Sequence, residues 1–561
     1  MRNILGILFS VAISLNLNAQ IQKYVDFYDK EETIKRAEGQ YIRGLEHGVW
    51  KTYHENGKLR EEVNYFMGKL EGELSRYHEN GELFSKSYFK NNKLDSISVE
   101  YFPNGQLMSE GFYADNKKVG SWKYFYNDSR LRLEEVFENS TNKILSFNDK
   151  NANSEYKIVN GNGTMISYHT NGKKAEKISY KNGLENGEYK KWNSNGILIT
   201  EGIYIENLKN ETWTYYFPSG KLKEKTTWKN DLENGEYVKY NTSQDTVVSG
   251  QFKDGKKEGY WRWFIEKGMK DMEGSFLNNE QHGDWIFWFA NGQKHHFGRY
   301  ENGLMQGEWQ YFYGGGEKYK TGSYVLGKKE GLWDFWFENG QTLQRGEFKN
   351  DLEQGEWKSW HQNSNKASEG SFDQGELTGL WTGWHENGVK KYEGKWNGNL
   401  RIGEWNFYYR NGQIDEKITF YNGSSKKINR LSDDTDLIKL FESKDTNPIG
   451  LKHGPYLNAN VNGRTEQEGE YELGVPSGKW TYYFPNGSIM RQAEYKEGKF
   501  HGKVTTYDRR GRVIEETQYN KGKRDGQYIK YNDKTGQVEQ DIIYENGKAV
   551  KVKVQNGRAV K

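Results

Sequence analysis

One spacing constrains this chain more than any other feature. Starting at Gly48 and stepping 24 residues, the stops are Gly72, Ser96 and Gly120. After a shortened unit the count restarts at Gly163. It then runs without slippage through Gly187, Glu211, Gly235, Gly259, Gly283, Gly307, Gly331, Gly355, Gly379 and Gly403. A second irregular unit follows, and the step resumes at Gly454, Gly478, Gly502 and Gly526. These nineteen anchors, with a weaker unit from Tyr24 to His47, make about twenty copies. A fixed period of this length is the mark of a repeat architecture.

Three aromatic columns ride on the frame. Two residues after the anchor stands a Trp in most units, among them Trp285, Trp309, Trp333, Trp357, Trp381 and Trp405. Five residues after it, eighteen of nineteen units carry an aromatic, Ala459 being the exception. Seventeen after it, eighteen of nineteen do so again, with Ile543 the exception. Between the second and third columns lies Asn-Gly or a relative, as in Asn339-Gly340. Asn-Gly between two β-prone segments predicts a tight hairpin, because both residues tolerate positive φ. A lone hairpin cannot bury an aromatic face, so the units must stack with their columns aligned. Two strands per unit advance the array by about 10 Å.

The segments "YFMGKLEGELSRYHENG" and "YKNGLENGEYKKWNSNG" resemble the MORN repeat in its variant form. The resemblance covers nearly everything from Tyr24 onward. It implies an all-β, elongated, single-layer array of stacked antiparallel hairpins, with roles in protein scaffolding, dimerisation or lipid contact. Bacterial members of this variant are often labelled antitoxins, and the family has no catalytic residues to carry over.

The ends and breaks divide the chain. Residues 1–19 read as a signal peptide: Arg2, an apolar run from Ile4 to Leu17, then Ala19 before the cut. Repeats follow over 20–137. Residues 138–162 form a shortened irregular unit, in which Tyr156 precedes Gly163 by seven residues as Tyr65 precedes Gly72. Repeats resume over 163–420. Residues 421–453 are an insertion in which Ser432 is an N-cap and Leu437, Ile438, Leu440 and Phe441 make a stripe, predicting a short helix over 433–442. Repeats and a C-terminal cap complete 454–561.

Chemistry is sparse. The chain has no Cys, which excludes disulfides and thiol catalysis. Its 81 basic and 78 acidic residues are intermixed, so no basic face invites nucleic acid. Nine of the eleven His recur at two positions of the unit, which speaks against a metal centre. His295 and His296 are off-pattern, and adjacent strand residues should face opposite sides. No catalytic motif is present, so we expect a non-enzyme without cofactor. The expected product is an exported protein, periplasmic, envelope-bound or extracellular, with no membrane span after cleavage. Its extended β surface would bind a protein partner or an envelope component. The alternative is a glycan- or wall-binding module whose aromatic columns stack on sugars; an antitoxin-like role is a further one. The candidate binding surface is Trp288, Trp336, Trp360 and Trp384. Each lies three residues past a column Trp, hence on the opposite face of an ideal strand.

Overall fold

The structure is a computed structural model that describes residues 21–138, 141–422 and 450–560. Among them are 46 β-strands and no helix, and the paired strands run antiparallel. The leader and the helix expected over 433–442 lie outside the described residues.

The chain divides into two compact units, residues 1–259 with 266–268 and residues 260–265 with 269–561. In the first, strands from Ile21–Phe27 to Thr246–Lys253 pair with their neighbours in chain order. In the second, the same meander runs from Lys270–Leu277 to Arg558–Ala559. The 421–453 insertion leaves this meander intact, because Ile414–Phe420 pairs directly with Lys452–Ala459. The insertion's ends are also joined, with Tyr421 N donating to Leu451 O at 2.7 Å.

One hairpin shows how the sequence builds the unit. The strand Lys328–Trp336 leads through Phe337–Gly340 into Thr342–Lys349. Here the turn differs from expectation. Gly340 has φ +83°, but Asn339 is not in the left-handed region. Asn339 instead accepts the Gln341 N–H on Oδ1 at 3.1 Å, while Gly340 N donates to Phe337 O at 2.9 Å. This is the longer hairpin loop, a type I turn closed by a left-handed glycine. The tight turn with two positive φ values lies at the other end of the hairpin, at Asn350 (52°) and Asp351 (72°).

The anchor is a bulge. Ser323 pairs with Glu330 and Thr321 with Asp334, so Gly331, Leu332 and Trp333 together face Gly322 alone. All nineteen anchors have positive φ, including Ser96 (70°) and Glu211 (59°), which lack glycine's freedom. The bulge lays the Trp333 indole over Gly322 and lets Nε1 donate to Ser323 O at 3.3 Å. Trp333 is thereby fully buried in a sheet one layer thick. Tyr324 meets it edge-on with ring centroids 5.2 Å apart, and Phe335 lies beside it at 6.1 Å. Edge-to-face packing of this kind lets rings alone make a core. Lys329 closes the rim, its Nζ 4.5 Å from the Phe348 ring.

The shortened unit solves the same problem with fewer residues. Ile158, fully buried, pairs with Gly163 and takes the place of the column ring. Tyr156 does not take that place; it is buried nearby, with its hydroxyl accepting from Lys174 Nζ at 2.7 Å.

Candidate interaction face

The two tryptophan columns lie in different surroundings. Trp285, Trp309, Trp333 and Trp405 are at most 1% exposed, and Trp357 and Trp381 are also buried. Trp288, Trp336, Trp360 and Trp384 are each half-buried. Strand alternation puts Leu332, Asp334 and Trp336 on the face opposite Trp333. A second register shift, between Phe335 and Trp336, pairs Trp336 with Thr342.

Three of these four rings have a lysine ammonium close by. Lys318 Nζ lies 5.7 Å from the Trp336 ring centroid, Lys270 5.0 Å from Trp288, and Lys366 5.3 Å from Trp384. Lys366 also pairs with Glu369 at 2.7 Å, and Lys270 with Glu273 at 2.9 Å. At several units where the column carries Tyr, a carboxylate takes the hydroxyl. Tyr216 donates to Glu201 at 2.6 Å, Tyr408 to Glu393 at 3.2 Å and Tyr483 to Glu468 at 2.6 Å. Burial, then the bond to Glu201, pushes the Tyr216 phenol up to about 12. A hydrogen bond from Lys390 leads the effects that hold Glu393 below the usual carboxylate range. Between these frames Leu332 and Leu380 stand open, 52% and 58% exposed. Asp334 and Arg345 form an ion pair beside them.

The rim of this face is a ladder. His54, His78, His169, His361 and His385 each place Nε2 at 2.8–3.1 Å from the carbonyl of the residue 23 positions on. Asn56, Asn171, Asn363, Asn387 and Asn486 donate from Nδ2 across the same step. These five histidines therefore hold neighbouring turns together. Among the described residues no group of three His, Cys, Asp or Glu could hold a metal ion. His295 and His296 depart from strand alternation. The register shift between Phe287 and Trp288 leaves His295 out of the ladder, and the two imidazoles come within 4.6 Å.

Sequence reasoning missed the glycines beneath the indoles. Each of ten glycines, from Gly39 under Trp50 to Gly469 under Trp480, would drive a Cβ to within 2.3 Å of the ring it carries. The signal was present, because each Trp of that column has Gly eleven residues earlier.

The family model described as "MORN repeat variant" matches eight segments: 46–66, 70–91, 94–115, 162–182, 212–230, 329–350, 401–422 and 476–497. These eight segments are MORN-variant repeats. The match covers eight segments rather than about twenty, while a positive φ recurs at all nineteen anchors. No curated protein sequence matches the chain. Among solved structures it is similar to "TcdB2-TccC3-Cdc42", at 11% identity and TM-score 0.12, over 98% of this chain and 35% of that one. The Photorhabdus luminescens Tc holotoxin pore (mutation TccC3-D651A) matches at 10% identity and TM-score 0.12, over 95% and 30%. The chain thus spans about a third of the length of these solved chains. No helix among the described residues is long and apolar enough to cross a membrane.

Proposed function

We propose that this MORN-variant chain is a non-enzymatic, exported repeat protein whose polar sheet face binds a protein partner in the cell envelope. The observation that carries the reading is the second aromatic column. It offers a row of half-buried rings on the face opposite the buried indoles, with Lys–Glu pairs beside Trp288 and Trp384 and Lys318 beside Trp336. Aromatic anchors surrounded by polar groups are the composition of protein interfaces. A stacked-hairpin surface is also ordered before binding, which lowers the cost of association. Leu332 and Leu380 supply apolar area that the sheet itself leaves uncovered. The apolar run from Ile4 to Leu17, read as a leader, favours an envelope location over an antitoxin-like role in the cytoplasm.

The test is crosslinked capture from envelope extract by the mature chain. The reading expects a discrete partner that is lost with Trp336→Ala/Trp384→Ala while the circular dichroism is unchanged. Capture that is indifferent to these substitutions contradicts it.

One observation favours a second reading. Rings recurring about every 10 Å, with carboxylates alongside, match the disaccharide repeat of an extended β-1,4-linked glycan. Glycan binding lost on Trp336→Ala and Trp360→Ala, without protein capture, would select it.

A further inference from the structure

The shortened unit opens a cavity of about 570 Å³ in the first compact unit. Its lining includes Tyr126, Arg132, Phe147, Asp149, Met165 and Tyr168. That size suits a small organic ligand.

Asp149 is the anomaly. It is only 2% exposed, and its Oδ1 has no hydrogen-bond donor. Its position in the repeat explains how this arises. Tyr126, one unit earlier, donates its hydroxyl to Asn148 O at 2.9 Å, and His169, one unit later, bonds Trp192 O at 2.9 Å. Asp149 follows Asn148 as His169 follows Tyr168, so it stands in the same rim ladder. An ionised carboxylate has no proton to donate there.

Other turns provide internal controls. Asn193, Asn241 and Asp508 each accept, on Oδ1, the N–H groups two and four residues on. Asp149 does the same through Oδ2, from Asn151 at 3.1 Å and Asn153 at 3.4 Å. In the controls the remaining atom is also engaged. Asn193 Nδ2 donates to Pro218 O, Asn241 Nδ2 to Asp245 Oδ2, and Asp508 Oδ2 accepts from Arg512 Nε at 2.8 Å. At Asp149 no such partner is supplied, although a buried carboxylate oxygen without a donor is costly.

A complementary cation lines the same cavity. Arg132 is exposed, stacks 5.7 Å over the Tyr124 ring, and has no carboxylate partner among the described residues. Asp149 and Arg132 both line this one cavity, and their charges act on the Tyr126 phenol in opposite directions. Burial first, then the charge of Asp149 beside it, raises the Tyr168 phenol.

We propose that this cavity binds a small zwitterion of the amino-acid type. The ligand's ammonium donates to Asp149 Oδ1, its carboxylate meets Arg132, and an apolar side chain lies against Phe147 and Met165. This site is independent of the polar-face reading.

Calorimetry on the full mature chain tests it, with L-phenylalanine and L-leucine as probes, phenethylamine lacking the carboxylate and 3-phenylpropionate lacking the amine. Binding of either amino acid, weakened roughly tenfold or more by Asp149→Asn and by Arg132→Gln, is expected for charge-assisted contacts. Both truncated probes should bind worse. Asn already occupies the equivalent turn at 193 and 241, so Asp149→Asn should fold; Arg132→Gln alters an exposed side chain and decides the matter if it does not. No heat from either amino acid, affinity unchanged in a folded variant, or a truncated probe equal to phenylalanine would overturn the assignment.

Discussion

Trp333 lies across the backbone of Gly322, so close that a Cβ on that glycine would fall 2.1 Å from Trp333 Cδ2. The pairing recurs in both units, from Gly39 and Trp50 to Gly469 and Trp480. Where the column carries another residue the glycine is gone: Val63 pairs with Leu74, and Thr226 with Tyr237. The bulge, the glycine and the indole are therefore one device.

It follows that Gly322→Thr should destabilise the second unit by about 3 kcal/mol through overpacking, whereas adding Trp333→Tyr should restore part of the loss. That double variant copies Thr226 and Tyr237. Urea unfolding of the four proteins gives the coupling, expected to be favourable by at least about 1 kcal/mol. Additive effects would mean that the two residues do not share one packing site.

Two anchors carry a side chain in the left-handed region, Ser96 and Glu211. Ser96→Gly and Glu211→Gly should each stabilise by about 1 kcal/mol, since non-glycine residues are strained there. Gly331→Ala should lose a similar amount. A fall in the urea midpoint for Glu211→Gly would show that its backbone is held by interactions of the side chain.

Much of this was legible beforehand, for physical reasons. The period locates every anchor because a bulge in a stacked array must recur in register. The column Trp announces burial because it is the largest apolar group the unit offers. The turn chemistry was misplaced because Asn-Gly suits two hairpin loops: one with both residues at positive φ, and one with only the glycine there. In the second, the backbone N–H of Gln341 donates to Asn339 Oδ1. The approach of Lys318 to the Trp336 ring is a contact that no strand pattern specifies. The Asp149 cavity was hidden for a similar reason. Losing residues from one unit changes which side chains meet across neighbouring units.

His296 is stacked on Phe287 at 4.1 Å, and burial, followed by the charges of His295 and Lys320, depresses it to about 4 from 6.5. The unfolded chain takes up this proton as pH falls through 6.5, while the folded chain resists until about 4. The stability contribution is thus complete above pH 6.5 and is lost between there and pH 4. His296→Phe should flatten that part of the stability profile, and NMR titration of the wild type should place the imidazole near 4. A midpoint near 6.5 would contradict the burial argument.

The rim ladder should matter unequally. Asn363 Nδ2 reaches Glu386 O at 2.7 Å, whereas Asn339 Nδ2 reaches only Gln341 Oε1 in its own turn. Asn363→Ala should cost about 1 kcal/mol and speed amide exchange in the turn after Trp384. Asn339→Ala should leave the neighbouring turn undisturbed.

Hydroxyl-radical footprinting of the native full chain, read by mass spectrometry, tests the division of the two tryptophan columns most directly. Trp288, Trp336, Trp360 and Trp384 should oxidise readily, and Trp285, Trp309, Trp333 and Trp405 should be protected until the chain unfolds. Equal oxidation of the two sets, or protection of Trp336 beside an oxidised Trp333, would contradict a buried core column backed by an open face.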